Sequence, residues 1–214
     1  MDNRAEPSAT CPPRNLVLAS TSPYRKQLLA RLRIPFEALD PSVDEDAYKD
    51  RGLPPNELVR SLAEAKARAV GQVRPRDLIL GGDQCASLDG LILGKPLSFE
   101  GSVDQLALLA GRTHLLITAL SLYDPASERC DTVVDVHEMT MRPLGREQIR
   151  RYVELDHPMD CAGSYKLESL GVALFDRVAG SDPTAIVGMP LMRLVSMLDA
   201  VGYDVFAQAV GTGP

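Results

Sequence analysis

Two rhythms of apolar residues run along this chain. The first is the short unbroken run that marks a buried strand: Asn15–Ser20 (NLVLAS) and Asp77–Gly82 (DLILGG) both read this way. The second is helical. Ser22 offers a cap and Pro23 suits a first helical position, with Leu28, Leu29 and Leu32 on one face. Another helix is expected from about Pro55 to Val70, with Leu58, Leu62, Ala65 and Ala69 as its stripe. Cys85–Leu88 and Leu91–Gly94 flank Asp89-Gly90, a hairpin signal. Ser102–Ala110 and Arg146–Leu155 read as helices, and His114–Tyr123 and Thr132–Met141 as two long strands turning at Asp124–Ser127. Asp40–Gly52 reads as an acidic loop, Ala162–Gly171 as irregular, Val172–Val178 as strand and Ala179–Pro190 as a punctuated loop. Pro190 then opens a last helix facing inward with Leu191, Leu194, Val195, Leu198 and Val201. Strands alternating with helices around a central hairpin predict an α/β fold with a mixed sheet.

Composition narrows the function classes. At 214 residues and 45% hydrophobic content, the chain can bury one sizeable core. A net charge of −6, aromatics at 5% and no Trp argue against a partner as long as a nucleic acid strand, which wants a broad basic face or stacking platforms. A polyanion would have to be held locally, by a few cations or a metal. No apolar run approaches the roughly 18 residues of a membrane span. Cys11, Cys85, Cys130 and Cys161 are too scattered for a metal knuckle, so they read as reduced thiols of a cytoplasmic protein. His114, His137 and His157 show no ligand spacing for zinc. Residues 1–13 are polar and Pro-bearing, and read as a disordered tail.

The chemistry begins at Ser20-Thr21-Ser22-Pro23-Tyr24-Arg25-Lys26. A helix N-terminus favours acids, yet this one carries Arg25 and Lys26. Either an anion such as phosphate sits between them and the free backbone donors, or the helix start is simply solvated. Gly81-Gly82 leaves room for a ligand beside the chain, and Asp83 leaves the strand end as a proton acceptor, a metal ligand or a mere turn residue. Outward counting from Asp89-Gly90 sets Gln84 opposite Lys95, which brings Asp83 and Lys95 to one mouth if the glycines bend the hairpin base. Lys66, on the edge of an apolar stripe, either snorkels or reaches a buried anion. Asp44-Glu45-Asp46 is either a solvated acidic loop or the source of a second metal ligand.

The segments LASTSPYRKQLL, SVDE, AEAKARA, LGGDQ, LGKPLS, LAGRTHLLIT, DCAGSYKLESLG and VGMPL stand in the order found in the Maf-type nucleotide pyrophosphatases, and the chain resembles that family from about Leu16 to Val201. The resemblance implies the elongated mixed α/β fold shared with inosine-triphosphate pyrophosphatases, as a catalytic domain over 14–206 with a C-terminal tail at 207–214. It implies hydrolysis of a nucleoside triphosphate to a monophosphate and pyrophosphate, a divalent cation (Mg, Mn or Co), and a homodimer. By motif, Asp83 becomes the proton acceptor, Ser22, Arg25, Lys26, Lys66 and Lys95 the phosphate holders, and Glu45 with Asp83 the metal ligands. Tyr24, Gln84 and Glu168 occupy the positions that separate subgroups, and here resemble the subgroup acting on 7-methyl-GTP. That subgroup has Trp at the place of Tyr24, and a second Arg is common at Lys26. Action on dTTP, UTP or another noncanonical triphosphate is the alternative within the family. A nucleotide-binding regulator of cell division is the alternative outside catalysis.

Overall fold

A computed structural model of the protein describes residues 14–211, so the expected tail at 1–13 lies outside the described residues. Strands β1 (Leu16–Ala19), β2 (Glu37–Leu39), β3 (Leu78–Leu88), β4 (Leu91–Leu93), β5 (Thr113–Asp124), β6 (Arg129–Met141) and β7 (Phe175–Ala179) form one sheet. Its order is β2-β1-β3-β5-β6-β7, with β4 beside the outer half of β3. The pairs β1–β2 and β1–β3 are parallel and the other pairs antiparallel, so the mixed α/β fold expected from the alternation is present. The helices are α1 (Pro23–Ala30), α2 (Glu45–Lys49), α3 (Pro55–Val73), α4 (Phe99–Leu109), α5 (Arg146–Asp156), α6 (Leu191–Ala200) and α7 (Val205–Gln208).

Side chains alternate across a strand, so β3 assigns the two layers. Its even-numbered residues Leu78 and Leu80 pack with Leu29, Leu194 and Leu198 of α1 and α6. Farther along the same face, Ala86 and Leu88 join Leu106, Leu109 and Val153 of α4 and α5. Odd-numbered Ile79 and Cys85 meet α3 through Ala67, Val70, Val59 and Ala63. Most of the expected elements therefore stand where their periodicity put them.

The differences have local causes. The buried side of α3 is Val59, Ala63, Lys66, Ala67 and Val70 with Leu58 and Leu62, so the stripe is turned away from Ala65 and Ala69. Small alanines let the helix settle close to the sheet on whichever face a glycine clears. Within the supposed acidic loop, Asp44 caps α2 by accepting from the Ala47 backbone N–H (3.3 Å), and Glu45 and Asp46 suit its first turn. Val172–Val178 is only half strand, because a 3-10 turn occupies Leu170–Leu174 before β7 begins. The loop before α6 contains another 3-10 turn, Pro183–Val187. Ordered structure also passes residue 206: α7 runs to Gln208, and the Val210 N–H donates to the Arg33 carbonyl at 2.9 Å. Among the described residues, no helix is long and apolar enough to cross a membrane.

One buried group carries a pH prediction. His114 on β5 is 2% exposed and packs against Tyr165 and Phe175, with its Nε2 3.0 Å from the Tyr165 hydroxyl. Burial pushes its pKa down to about 4. The unfolded chain, titrating near the ordinary value of 6.5, takes up this proton first as pH falls. Stability from keeping His114 neutral is thus full above that value and is lost between it and about 4. The loss should reach about 3 kcal/mol. Urea unfolding at pH 7 and pH 4.5 should show a smaller acid loss for His114→Gln than for the wild type.

Candidate active site

The parallel pairing of β1 with β3 ends at Ala19↔Gly81, and the antiparallel pairing of β4 with β3 begins only at Ala86↔Leu93. Between them, Gly82–Cys85 have no strand partner on that side of β3 among the described residues. A cleft of about 930 Å³ opens over this gap, with Asp83 and Gln84 both in its wall. Adjacent strand residues point to opposite faces, and both reach the cleft because it wraps the unpaired edge. The pairing thus corrects the expected hairpin base. β4 stops at Leu93, so Gln84 is not opposite Lys95 but pairs with Thr118 of β5. β3 stays a continuous strand through the glycines. Lys95 still lines the cleft, delivered by the irregular segment after β4.

The glycines serve the protein's own packing. A Cβ on Gly81 would lie 2.1 Å from the Ala63 carbonyl oxygen, and one on Gly82 would lie 3.3 Å from Arg25 Nε. Gly81 therefore lets α3 press onto the sheet one turn before Lys66. Because Asp83 shares the odd-numbered face, Lys66 and Asp83 meet: Lys66 Nζ donates to Asp83 Oδ1 at 2.7 Å. The same ammonium reaches Glu45 Oε1 at 2.6 Å from the first turn of α2. Lys66 is buried, so of the two sequence readings it is the anion-reaching one that holds. Two carboxylates around one buried cation offset its desolvation.

These contacts set the electrostatics. Burial pushes the Asp83 carboxyl up, against the opposing pull of Lys66 and Arg25 and with a further push from Glu45. A raised pKa makes a carboxylate a stronger proton acceptor. For Glu45, burial acts upward too, but the hydrogen bond and charge of Lys66, with Lys49 and Lys95, hold it below the ordinary carboxylate range.

Ser22, also in the cleft wall, caps α1 by accepting from the Arg25 backbone N–H (3.4 Å), and no acid occupies that first turn. Arg25 lines the cleft and donates from Nε to the Gly188 carbonyl at 3.0 Å. Among the described residues its two terminal nitrogens have no protein acceptor. Lys26 departs from the expected cradle: it is exposed on the outer side of α1 and outside the cleft wall. One residue along a helix turns a side chain by about 100°, and that rotation separates Lys26 from Arg25.

The cleft wall also includes Tyr24, Asp160, Cys161 and Glu168. The Tyr24 hydroxyl donates to Asp160 Oδ2 at 3.2 Å. Burial first, then Cys161 and Asp160, pushes the Tyr24 phenol up, so it stays a donor. Lys166 Nζ stands 5.9 Å from the Tyr24 ring centroid, tethered by the Asp156 and His157 carbonyls at 3.0 and 3.1 Å. Sequence patterning missed Asp160 as Tyr24's partner and Gly188 as Arg25's. Both contacts join residues more than 130 positions apart, and nothing local marks them.

Glu45 and Asp83 are carboxylates in the cleft wall that could hold a metal. Each has one oxygen on Lys66 and its second oxygen without a protein partner among the described residues. No group of three or more His, Cys, Asp or Glu side chains gathers among those residues. Two hard carboxylate oxygens fit a cation whose shell is completed by substrate phosphates and water.

A cleft this size, lined by Arg25, Lys95 and the Tyr24 ring beside a buried carboxylate, is the site of a nucleotide-directed hydrolase. The family model for Maf-like proteins matches residues 15–201, and the chain belongs to the Maf family. A 7-methyl-GTP pyrophosphatase from Pseudoalteromonas atlantica is 47% identical over 89% of this chain and 97% of its own length. Proteins of the same name from Pseudomonas putida and Pseudomonas aeruginosa are 46% and 45% identical, each over 89% of this chain and 98% of their own length.

Proposed function

We propose that this protein hydrolyses 7-methyl-GTP to 7-methyl-GMP and pyrophosphate, and so removes a modified nucleotide from the pool. The observation that carries the chemistry is the buried Lys66–Asp83 pair at the one-sided stretch of β3, within a cleft of nucleotide size. The names and high coverage of the relatives support the substrate.

In this reading water attacks the α-phosphorus in line with the departing pyrophosphate. Asp83 takes the proton from that water. Lys66 holds the Asp83 carboxylate in place and stands ready to share its charge with the phosphates. Arg25 presents its two terminal nitrogens to the triphosphate, and Lys95 adds a second cation from the cleft wall. Ser22 and the free N–H groups of α1 complete an anion site. Glu45 and Asp83 are the residues that would hold a divalent cation (Mg, Mn or Co), which supplies charge neutralisation on the phosphates when bound. Lys26 is left with long-range attraction only.

Base preference falls to Tyr24 and Glu168. A 7-methylated guanine is cationic, which favours an aromatic face and a nearby carboxylate. Tyr24 offers the face, and its hydroxyl bond to Asp160 holds the ring. Glu168 offers acceptors for the guanine N1–H and amino group. Glu168→Gln should lower the preference for 7-methyl-GTP over ATP, whose base lacks the N1–H and 2-amino donors, by about tenfold or more, the worth of a charged hydrogen bond. Relative rates on a panel of canonical and modified triphosphates check this. An unchanged ratio removes Glu168 from base reading, and a wild-type preference for dTTP or UTP replaces the proposed substrate. We also propose a cytoplasmic location, in keeping with free thiols at Cys85, Cys130 and Cys161, and a homodimer, on family resemblance.

A further inference from the structure

Gln84 and Thr118 are register partners on β3 and β5, so they share the even-numbered face of the sheet. That face has an apolar cluster on either side, under α1 and α6 and under α4 and α5. The space between is closed by the 3-10 turn Pro183–Val187, and the polar groups beneath it are matched to its backbone. The two hydrogens of Gln84 Nε2 are shared among three acceptors, the Ala185 carbonyl (2.9 Å), the Ile186 carbonyl (3.1 Å) and Thr118 Oγ1 (2.7 Å). Carbonyl oxygens only accept, so the amide orientation is fixed with its nitrogen toward the turn. Thr118 Oγ1 in turn donates to the Ala185 carbonyl at 2.9 Å. Hydrogen bonding therefore runs one way, from Gln84 through the Thr118 hydroxyl to the turn.

The turn is fastened behind as well. Asp182, 1% exposed, accepts from the Thr184 hydroxyl (2.6 Å) and the Met192 N–H (2.8 Å). Ser181 Oγ donates to the buried Asp135 at 2.6 Å. Directly after the turn comes Gly188, at φ 114°, whose carbonyl holds Arg25 Nε. With Nε engaged, the guanidinium plane has one orientation, and both terminal nitrogens are presented together.

We infer that Thr118 and Gln84 are positioning residues that hold the 183–188 turn and, through the Gly188 carbonyl, aim Arg25 at the substrate's phosphates. Gln84 thereby acts on the triphosphate end, and both hydrogens of its amide are spent on protein rather than on a base. The inference rests on the pyrophosphatase reading above. Thr118 is the cleaner probe, being 1% exposed and outside the cleft wall.

The test is a double-mutant cycle of Thr118→Val with Arg25→Ala, read as kcat/KM for 7-methyl-GTP with pyrophosphate detection. Thr118→Val should lose about tenfold through misplacement of Arg25, and Thr118→Ser should recover most of that loss. In the Arg25→Ala background, Thr118→Val should cost less than about twofold, because there is no longer a guanidinium to misplace. If Thr118→Val fails to fold, Gln84→Met takes its place in the same cycle, with the same non-additivity expected. A loss of full size in the Arg25→Ala background, or no loss at all, overturns the inference and leaves the activity standing. A wild type that releases no pyrophosphate from 7-methyl-GTP overturns the activity reading itself.

Discussion

Asp83→Asn should bind 7-methyl-GTP nearly as well as the wild type and release pyrophosphate about a thousandfold more slowly. The amide has the shape of the carboxylate, and its oxygen can still accept from Lys66 Nζ, which lies 2.7 Å from Asp83 Oδ1. It is not a base at any working pH. The local fold should persist, because Lys66 keeps its contact to Glu45 at 2.6 Å. Binding would be read from the nucleotide-dependent rise in thermal midpoint, and turnover from single-turnover pyrophosphate release with enzyme in excess. Wild-type turnover by this variant would remove Asp83 from proton transfer. Loss of binding together with turnover would make Asp83 a holder of metal or substrate rather than the proton acceptor.

Gly81→Ala should be the most damaging small substitution near the cleft. Its added methyl would meet the Ala63 carbonyl oxygen at 2.1 Å, the Ala67 nitrogen at 2.8 Å and the Ala67 methyl at 2.9 Å. Two of these are helix backbone, so no side-chain rotation relieves the clash and α3 itself must move. A cost of about 3 kcal/mol is expected from overpacking of this severity, and for a domain of this size it lowers the thermal midpoint by roughly 6–12 °C. The same shift carries Lys66 away from Asp83, so activity at low temperature should fall even where the variant is folded. Gly94→Ala is the stability control, since its Cβ would meet nothing within 4 Å and Gly94 is not among the positive-φ glycines. Equal midpoints for the two variants would contradict the close packing of α3 on β3.

The sequence made the elements legible because each signal was local. The hairpin at Asp89-Gly90 adopts positive φ at both positions, 50° and 86°, as a two-residue turn demands. Ser22 and Pro23 start α1 as their chemistry requires. Most of the cleft's charged residues were also legible, Asp83 and Lys66 above all, but their roles were open until a partner was known. Lys66 looked equally suited to snorkelling, since its burial depends on Gly81, which sits on a different element. The supposed loop holding Glu45 is a helix too short for a periodicity signal, although Asp44 and Lys49 obey the helix-end rules. The cradle failed at Lys26 because a linear motif does not say which of two adjacent cations faces inward. The 183–188 segment was legible as part of a punctuated loop, but its 3-10 turn and its partners were not. Its bonds are to its own main-chain carbonyls, which every residue carries, and Thr118 is a single hydroxyl in an apolar strand.

Hydrolysis of 7-methyl-GTP by the wild type in ¹⁸O-labelled water, with Mg²⁺ or Mn²⁺ present, identifies the phosphorus that water attacks. Attack at the α-phosphorus predicts one labelled oxygen in 7-methyl-GMP and none in the pyrophosphate. Label in the pyrophosphate, or release of orthophosphate in its place, would move the attack to the β- or γ-phosphorus.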